Sequence, residues 1–341
     1  MRKSRAAPDA PFAKLKIALV ADTLTAACLA PECRVRQIGP IDGPFVLRWW
    51  RPDVLLVESA WTGFRNAWKY RVAAYPDMPK RNNRRLEALV LLARGLGIPN
   101  VFWNKEDGVH FDRFKDSARF FDVILTVDSN CVARYRDLTG GSARVDTMMF
   151  AVQPRFHHFT GHDFSDPTCN FVGSYSRHVH PERRQWQDAV FSAAIASGLG
   201  LTVYDRNSGR ANDVYRLPFA EGVTVRPSVG NAETAAVYRR HRVSLNVNTI
   251  VDSPTMFSRR LIEILASGGV ALTSPSLAVD TLFRDYCHVA ASGEEASELL
   301  ARFSEGVGAA DRERARAAAD HVASRHTWAR RLEQICAVAG L

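Results

Sequence analysis

Short apolar runs bounded by polar residues recur along this chain, with helical patterns between them. "LKIALVAD" (15–22), "DVLLVESA" (53–60), "NVFWNKED" (100–107), "FDVILTVD" (121–128) and "RVDTMMFAV" (144–152) are of this kind. Runs of this length suit parallel strands covered on both faces, which need no alternation of apolar and polar residues. The clearest helix is "NNRRLEALVLLARGLG" (82–97), stopped by glycine before Ile98-Pro99. Strands alternating with helices imply βα units and a mostly parallel sheet.

The segment "QPRFHHFTGHDFSDPT" (153–168) interrupts the pattern with turn residues and two prolines. The alternation then resumes in "CNFVGSY" (169–175), "LTVYD" (201–205), "VTVRPS" (223–228), "VSLNVNT" (243–249), "GVALTS" (269–274) and "CHVAA" (287–291). Helices are expected over 181–197, 231–241, 257–267, 277–285, 294–304 and 311–338. The expected class is α/β, with two doubly wound Rossmann-like domains facing a cleft. The expected division is a disordered tail over 1–13, an N-terminal domain over 14–160 and a C-terminal domain over 161–325. A final helix over 326–341 is expected to pack back on the first domain. The length of 341 residues and apolar fraction of 46% supply two ordinary cores.

In open α/β sheets, ligands sit beyond the carboxyl ends of the strands, so residues just after strands carry the information. The first strand is followed by "ADTLTAACLA", which lacks the glycines of a dinucleotide fingerprint. No P-loop and no G-x-S-x-G elbow occurs. No two aspartates are spaced i, i+2, so a metal-binding D-x-D pair is missing.

The formal charge of +9 fits a phosphorylated ligand, nucleic acid or a membrane surface. The basic residues are spread along the chain, which argues against nucleic acid and leaves a peripheral membrane contact open. Of the 45 basic residues 38 are arginine, and the last lysine is Lys115. An anion in the second half must therefore be held by arginine or histidine. The six cysteines form no C-x-x-C pair, consistent with a reduced protein. No signal-peptide pattern and no run of about 18 apolar residues is found, so the expected location is cytoplasmic.

The segment "SLNVNTIVDSPTMFSRRLIEILASGGVALTS" (244–274) holds the densest set of candidates. A strand ends near Asn248, a turn-rich loop follows, and a helix starts with Ser258 or Thr255 as N-cap. Arg259 and Glu263 are at i, i+4, and Arg260 and Glu263 at i, i+3. Arginine in a first turn opposes the helix dipole, and a bound phosphate would offset that. A carboxylate one turn later could accept from the vicinal hydroxyls of a ribose. An intrahelical Arg–Glu pair on a wet surface is the alternative.

"RRLIEILASGGVALTSP" resembles the R-x-x-E-x-x-A-x-G-x-x-x-(I/L)-T pattern of GT-B glycosyltransferases, closest to the CgeB-like, group-1-type branch. The resemblance spans about residues 169–290. It implies that Arg260 or Arg259 faces a diphosphate, that Glu263 faces the ribose, and that Gly268-Gly269 let the backbone pass close to the ligand. "CNFVGSYSRHVHPER" resembles the family's phosphate-approaching loop, with Gly173, Ser174 and Arg177. "LTVYDR", containing Tyr204, resembles the strand before its base-binding loop. Many retaining members carry E-x7-E, and the first glutamate position is Thr255 here.

"VFWNKEDGVHFDRF" (101–114) resembles the family's W-x-x-E-D-P segment, with Gly108 in place of proline. Glu106, Asp107 and His110 are candidates for the general base that takes the acceptor's proton. A capping and turn cluster around Asp107-Gly108 is the alternative. "VESAWTG" (57–63) places Glu58, Ser59 and Trp61 after a strand on the acceptor side, with Trp61 a stacking or a core residue. His157, His158, His162, His178 and His180 match no zinc spacing, so no metal site is expected. His178 and His180 could add donors near the phosphate loop.

The resemblance implies metal-independent transfer of a sugar from a nucleotide-diphosphate donor to a glycan, lipid-linked or small-molecule acceptor, in cell-surface or secondary glycan synthesis. No cofactor beyond the donor and no nucleic-acid partner is expected. The alternative is an inactive nucleotide-binding or assembly protein of the same fold.

Overall fold

The computed structural model describes residues 7–218 and 221–341. The chain forms two compact units, one of residues 1–153 with Trp328–Leu341, the other of Pro154–Thr327.

The first unit holds six parallel strands: β1 (Lys16–Val20), β2 (Arg34–Gln37), β3 (Val54–Glu58), β4 (Asn100–Asn104), β5 (Val123–Thr126) and β6 (Arg144–Thr147), in the order β2-β1-β3-β4-β5-β6. Every residue of β3, β4 and β5 is buried, which is why these strands read as unbroken apolar runs. Strand β2, "RVRQ", gave no such signal. It is an edge strand, and charge there blunts pairing with other chains.

Several boundaries differ from expectation: the units part after Gln153 rather than after 160, and the second runs to Thr327 rather than 325. Residues 1–6 of the expected tail lie outside the described residues. Residues 7–13 form hydrogen-bonded turns, anchored by Ala7 N–H to Pro31 O at 2.9 Å. The single helix expected over 311–338 is two helices, Ala309–Arg325 and Trp328–Ala339. The break follows from competing anchors. His326 packs its ring 5.2 Å from Phe283 in the second unit, while the Trp328 N–H donates to Val152 O in the first. The last helix is held by its buried Arg331, which donates to Met149 O at 2.7 Å and Phe150 O at 3.0 Å. Burial lowers that guanidinium to about 10, so it stays charged at neutral pH.

The second unit also holds six parallel strands: β7 (Asp166–Gly173), β8 (Leu201–Asp205), β9 (Val223–Pro227), β10 (His241–Asn246), β11 (Ala271–Thr273) and β12 (His288–Val289). Their order is β12-β11-β10-β7-β8-β9. The chain winds outward from β7 in one direction through β8 and β9, then in the other through β10 to β12. The topological switch point is therefore the gap between the carboxyl ends of β7 and β10, where a doubly wound sheet leaves room for a ligand.

Candidate functional site

Three arginines meet at that switch point. Arg183 stands in the first turn of the helix Pro181–Ala196, Arg206 directly follows β8, and Arg260 stands in the first turn of the helix Arg259–Ala266. Arg260 reaches back over the end of β7. Its Nε donates to Val172 O at 2.5 Å, its Nη1 lies 3.5 Å from Asn246 Oδ1, and its guanidinium lies 4.4 Å from the Phe171 ring centre. Glycine at 173 leaves room for it, because a Cβ there would lie 2.5 Å from Arg260 Nη2 and 2.8 Å from the Phe171 ring and would push the guanidinium aside. Arg183 donates to Thr249 Oγ1 at 3.3 Å, with Ser174 O at 3.5 Å.

Among the described residues, no carboxylate pairs with Arg183, Arg206 or Arg260. Burial, and then the proximity of Arg183, lowers Arg260 to about 10. Burial and then Arg206 likewise lower Arg183. Cations held together without a counter-charge are unfavourable, and a bound polyanion would relieve the repulsion. Beside them opens a 370 Å³ pocket lined by Ser174, His178, Arg183, Arg206, Asn207 and Tyr215, among others. A second, 340 Å³ pocket shares Arg183 and extends past Trp186 along the carboxyl ends of β10 to β12.

Glu263 is 8% exposed and accepts from Asn231 Nδ2 at 2.8 Å. Among the described residues, no ion pair joins it to Arg260. The helix is buried throughout Leu261–Ala266, so the wet-surface Arg–Glu pair is corrected. Arg259 is half-buried and starts the helix, after Ser258 at the N-cap position, whose side chain makes no capping bond.

Several sequence candidates stand elsewhere. Arg177 is exposed and, like Arg260 and Glu263, is absent from the lining of both pockets, while Arg183 lines both and Arg206 the first, though sequence reading passed over these two. The available signals were a first-turn arginine after Pro181 and an arginine one residue past a strand. Tyr204 hydrogen-bonds His241 at 3.2 Å. His241 opens β10, at the amino edge of the sheet, so the Tyr204 hydroxyl points away from the switch point. Asn248 is buried and occupied: its Oδ1 accepts the Ser258 N–H at 3.0 Å, and its Nδ2 donates to Ser274 O at 3.0 Å. It sets where the arginine-bearing helix begins. Thr255 lies in a turn whose N–H donates to the buried Ser253 hydroxyl, and it lines neither pocket.

Gly268 and Gly269 approach protein, not ligand. A Cβ on Gly268 would lie 2.4 Å from Phe159, and one on Gly269 would lie 2.8 Å from Tyr238 O. Both precede β11, at the amino edge of the sheet. Gly268→Ala, at φ +74° and facing that clash, is expected to destabilise the fold by about 2–4 kcal/mol. Urea unfolding would read the loss, with nucleotide affinity unchanged. Stability equal to the parent would contradict the packing role.

In the first unit, the carboxyl end of β3 is closed by an ion cluster. Glu58 is fully buried. Its Oε1 accepts from Lys105 Nζ at 2.9 Å and from the Asp22 N–H at 2.6 Å, and its Oε2 accepts from the Thr25 hydroxyl at 2.5 Å. Lys105 Nζ also lies 3.3 Å from Asp22, whose carboxylate accepts the N–H groups of Trp61, Thr62 and Gly63. The expected acceptor-side Glu58 is thus a structural carboxylate. Ser59, also buried, accepts the Lys105 N–H at 3.0 Å. Trp61 packs edge-on to Phe114 and His110, with ring centres 5.0 and 5.1 Å away, and lies half-buried against the core.

Glu106, Asp107 and His110 separate by exposure. Glu106 and His110 are half-buried, whereas Asp107 is fully buried. Asp107 Oδ1 accepts from Asn104 Nδ2 at 2.6 Å and from the Tyr135 hydroxyl at 2.9 Å, while Oδ2 has no hydrogen-bond partner among the described residues. Burial outweighs the lowering effect of its polar neighbours and raises the carboxyl from 3.8 to about 7. The folded state therefore favours the protonated form. The cost of ionisation is absent below the ordinary value of 3.8 and grows as pH rises to about 7. Asp107→Asn is expected to stabilise the fold above that pH, by on the order of 2–4 kcal/mol, and to be neutral in acid. Equal effects in urea melts at both pH values would contradict this.

His157 bonds the Thr234 hydroxyl at 2.9 Å, and His178 bonds the Ser176 hydroxyl at 2.9 Å. His178 and His180 line the larger pocket. Among the described residues, no group of three or more His, Cys, Asp or Glu side chains could hold a metal ion. Among the same residues, no helix is long and apolar enough to cross a membrane.

Residues 178–337 match a family described as glycosyl transferase-like. No curated protein matches the chain by sequence. Among solved structures, the chain is similar to the Anabaena protein HepE in complex with UDP and glucose, with TM-score 0.56, 10% identity, and coverage of 96% of this chain and 92% of that one. Sucrose-phosphate synthase of Thermosynechococcus elongatus aligns with TM-score 0.51, 11% identity and coverage of 89% and 83%. A trehalose-phosphate synthase of Burkholderia xenovorans in complex with glucose-6-phosphate aligns with TM-score 0.51, 11% identity and coverage of 88% and 76%.

Proposed function

We propose that this chain is a glycosyltransferase of GT-B fold, a reading supported by the family match over residues 178–337 and by the fold of the similar structures, and that its second unit binds the diphosphate of a nucleotide sugar on Arg183, Arg206 and Arg260. The carrying observation is that these three cations converge on a topological switch point with no carboxylate among the described residues to neutralise them. Transfer breaks the bond between the sugar's anomeric carbon and the distal phosphate oxygen, which keeps the electron pair. The acceptor hydroxyl supplies the new bond, and its proton goes to a base. Guanidiniums stabilise the charge that develops on the leaving diphosphate. Arginine suits this task, since it stays cationic and donates in a fork. This supports a reading in which the departing phosphate needs no metal.

Glu263, in the middle of its helix and accepting from Asn231, is the acceptor for the ribose hydroxyls in this reading. Glu106 and His110 are the candidates for the base, because the Asp107 carboxylate is enclosed. UDP and glucose in the HepE structure, and glucose-6-phosphate in the Burkholderia structure, support a sugar nucleotide as donor and a sugar-type acceptor. Placement in cell-surface or secondary glycan synthesis follows from the family resemblance alone.

A thermal-shift screen with UDP, GDP and their sugars is expected to raise the midpoint for one diphosphate and not for the matching monophosphate. Release of free nucleotide from the matching sugar nucleotide would then report the chemistry. Tight diphosphate binding without release from any sugar nucleotide would favour an inactive nucleotide-binding protein. No shift with any diphosphate would remove the proposal.

A further inference from the structure

The first unit carries a strongly exposed apolar face that the nucleotide site does not use. Ile41 is 83% exposed, Phe45 63% and Trp49 81%. They are spaced by four along "IDGPFVLRWWR" (41–51), with Ile41 in the turn that leads into one helical turn at Gly43–Phe45 and a π-helical turn at Val46–Trp50. Residues four apart share a face in such turns. The opposite side is anchored: Val46 and Leu47 are buried, Gly43 packs on Leu89, and Trp50 packs on the core under Arg36 at 4.7 Å. The wide turn places two adjacent tryptophans differently, Trp50 toward the core and Trp49 toward solvent.

Cations frame the face. Arg48 and Arg51 are exposed, and among the described residues no carboxylate pairs with either. Arg34 and Arg36 lie on the edge strand β2, and Lys16 Nζ is tied to the Trp50 and Arg51 carbonyls. The acids nearby are Asp42, bonded to the Gly39 N–H, and Asp53, bonded to the Lys16 N–H.

We propose that Ile41, Phe45 and Trp49 insert into the surface of an anionic lipid bilayer, with Arg48 and Arg51 at the phosphate level. Aromatic and aliphatic side chains on one face, with arginines beside them, match the layering of an interface from acyl chains to headgroups. Long arginine stems can lie along the apolar layer while their heads reach lipid phosphates. A second copy of this chain fits less well. A two-fold contact through this face would bring Arg48 and Arg51 against their own copies. The inference rests on this surface and not on the transferase reading, so its test reads binding alone.

Co-sedimentation of the full chain is expected with vesicles containing phosphatidylglycerol and not with phosphatidylcholine alone, weakening as salt rises. Phe45→Ser with Trp49→Ser should lower vesicle partitioning at least about tenfold. Arg48→Glu or Arg51→Glu should each lower it about fivefold or more. The substituted side chains are solvent-exposed, so the thermal midpoint should hold, and UDP binding should be unchanged. Absence of binding to anionic vesicles, or equal partitioning of the parent and the double variant, would overturn the proposal. So would a parent dimer in sedimentation that the double variant abolishes while vesicle binding persists, which would make the face a contact between copies.

Discussion

Arg260→Ala is expected to weaken UDP binding roughly 30- to 150-fold, the loss of about 2–3 kcal/mol from charge-assisted phosphate contacts. The side chain is held in place before any ligand arrives, by Val172 O and the Phe171 ring. A ligand therefore does not have to order it, and the whole contact is available for binding. Arg183→Ala should act in the same direction. Gly173→Ala tests the same geometry without removing a charge, since its Cβ would displace Arg260 Nη2 from 2.5 Å. Titration calorimetry with UDP and UMP separates diphosphate recognition from base recognition. The ligand-free melting point should change little in Arg260→Ala, because one of three mutually repelling cations is lost with its contacts. Unchanged UDP affinity in both arginine variants would disprove the site.

Lys105→Met is expected to destabilise the fold by about 3–5 kcal/mol, by stranding the carboxylates of Glu58 and Asp22. The lysine side chain is 10% exposed and that of Glu58 1%, so water cannot replace the lost cation. Burial pushes the Asp22 carboxyl up, but Lys105 and the N–H groups of Gly63, Thr62 and Trp61 outweigh it and hold it below its ordinary 3.8. A carboxyl lowered on folding contributes stability above its unfolded value, and that stability is lost as pH falls through the folded value. The gap between parent and Lys105→Met should therefore be full at neutral pH and should close in strong acid. Glu58→Gln in the Lys105→Met background should recover part of the loss. A neutral-pH gap under about 1 kcal/mol in urea unfolding would show that the cluster is not a buried ion pair.

Much of the architecture was legible because buried parallel strands must be apolar along their whole length, as β3, β4 and β5 are. The edge strand β2 was not, because its side chains answer to solvent and carry no periodic signal. In the site, Arg260 and Glu263 stood out by their pattern on one helix. Arg183 and Arg206 did not, since one follows β7 and the other β8, and only their spatial meeting gives them meaning. Glu58 and Tyr204 failed as candidates for a related reason. Standing at or near a strand end does not say whether a side chain turns to the ligand or to a neighbour inside the fold.

The sequence by itself determined two α/β halves, the restriction of side-chain cations in the second half to arginine and histidine, and a charged helix after the fourth strand of that half. These follow from local rules: apolar runs, turn residues, and a chain whose last lysine is Lys115. The tertiary structure alone decided which cations act together and which carboxylates are occupied. It also decided that the double glycine serves Phe159 and Tyr238 rather than a ligand. Those outcomes depend on contacts between residues far apart in the chain, such as Arg260 with Val172 and Lys105 with Asp22. Folding sets such pairs through strand order and burial, which no local pattern of residues encodes.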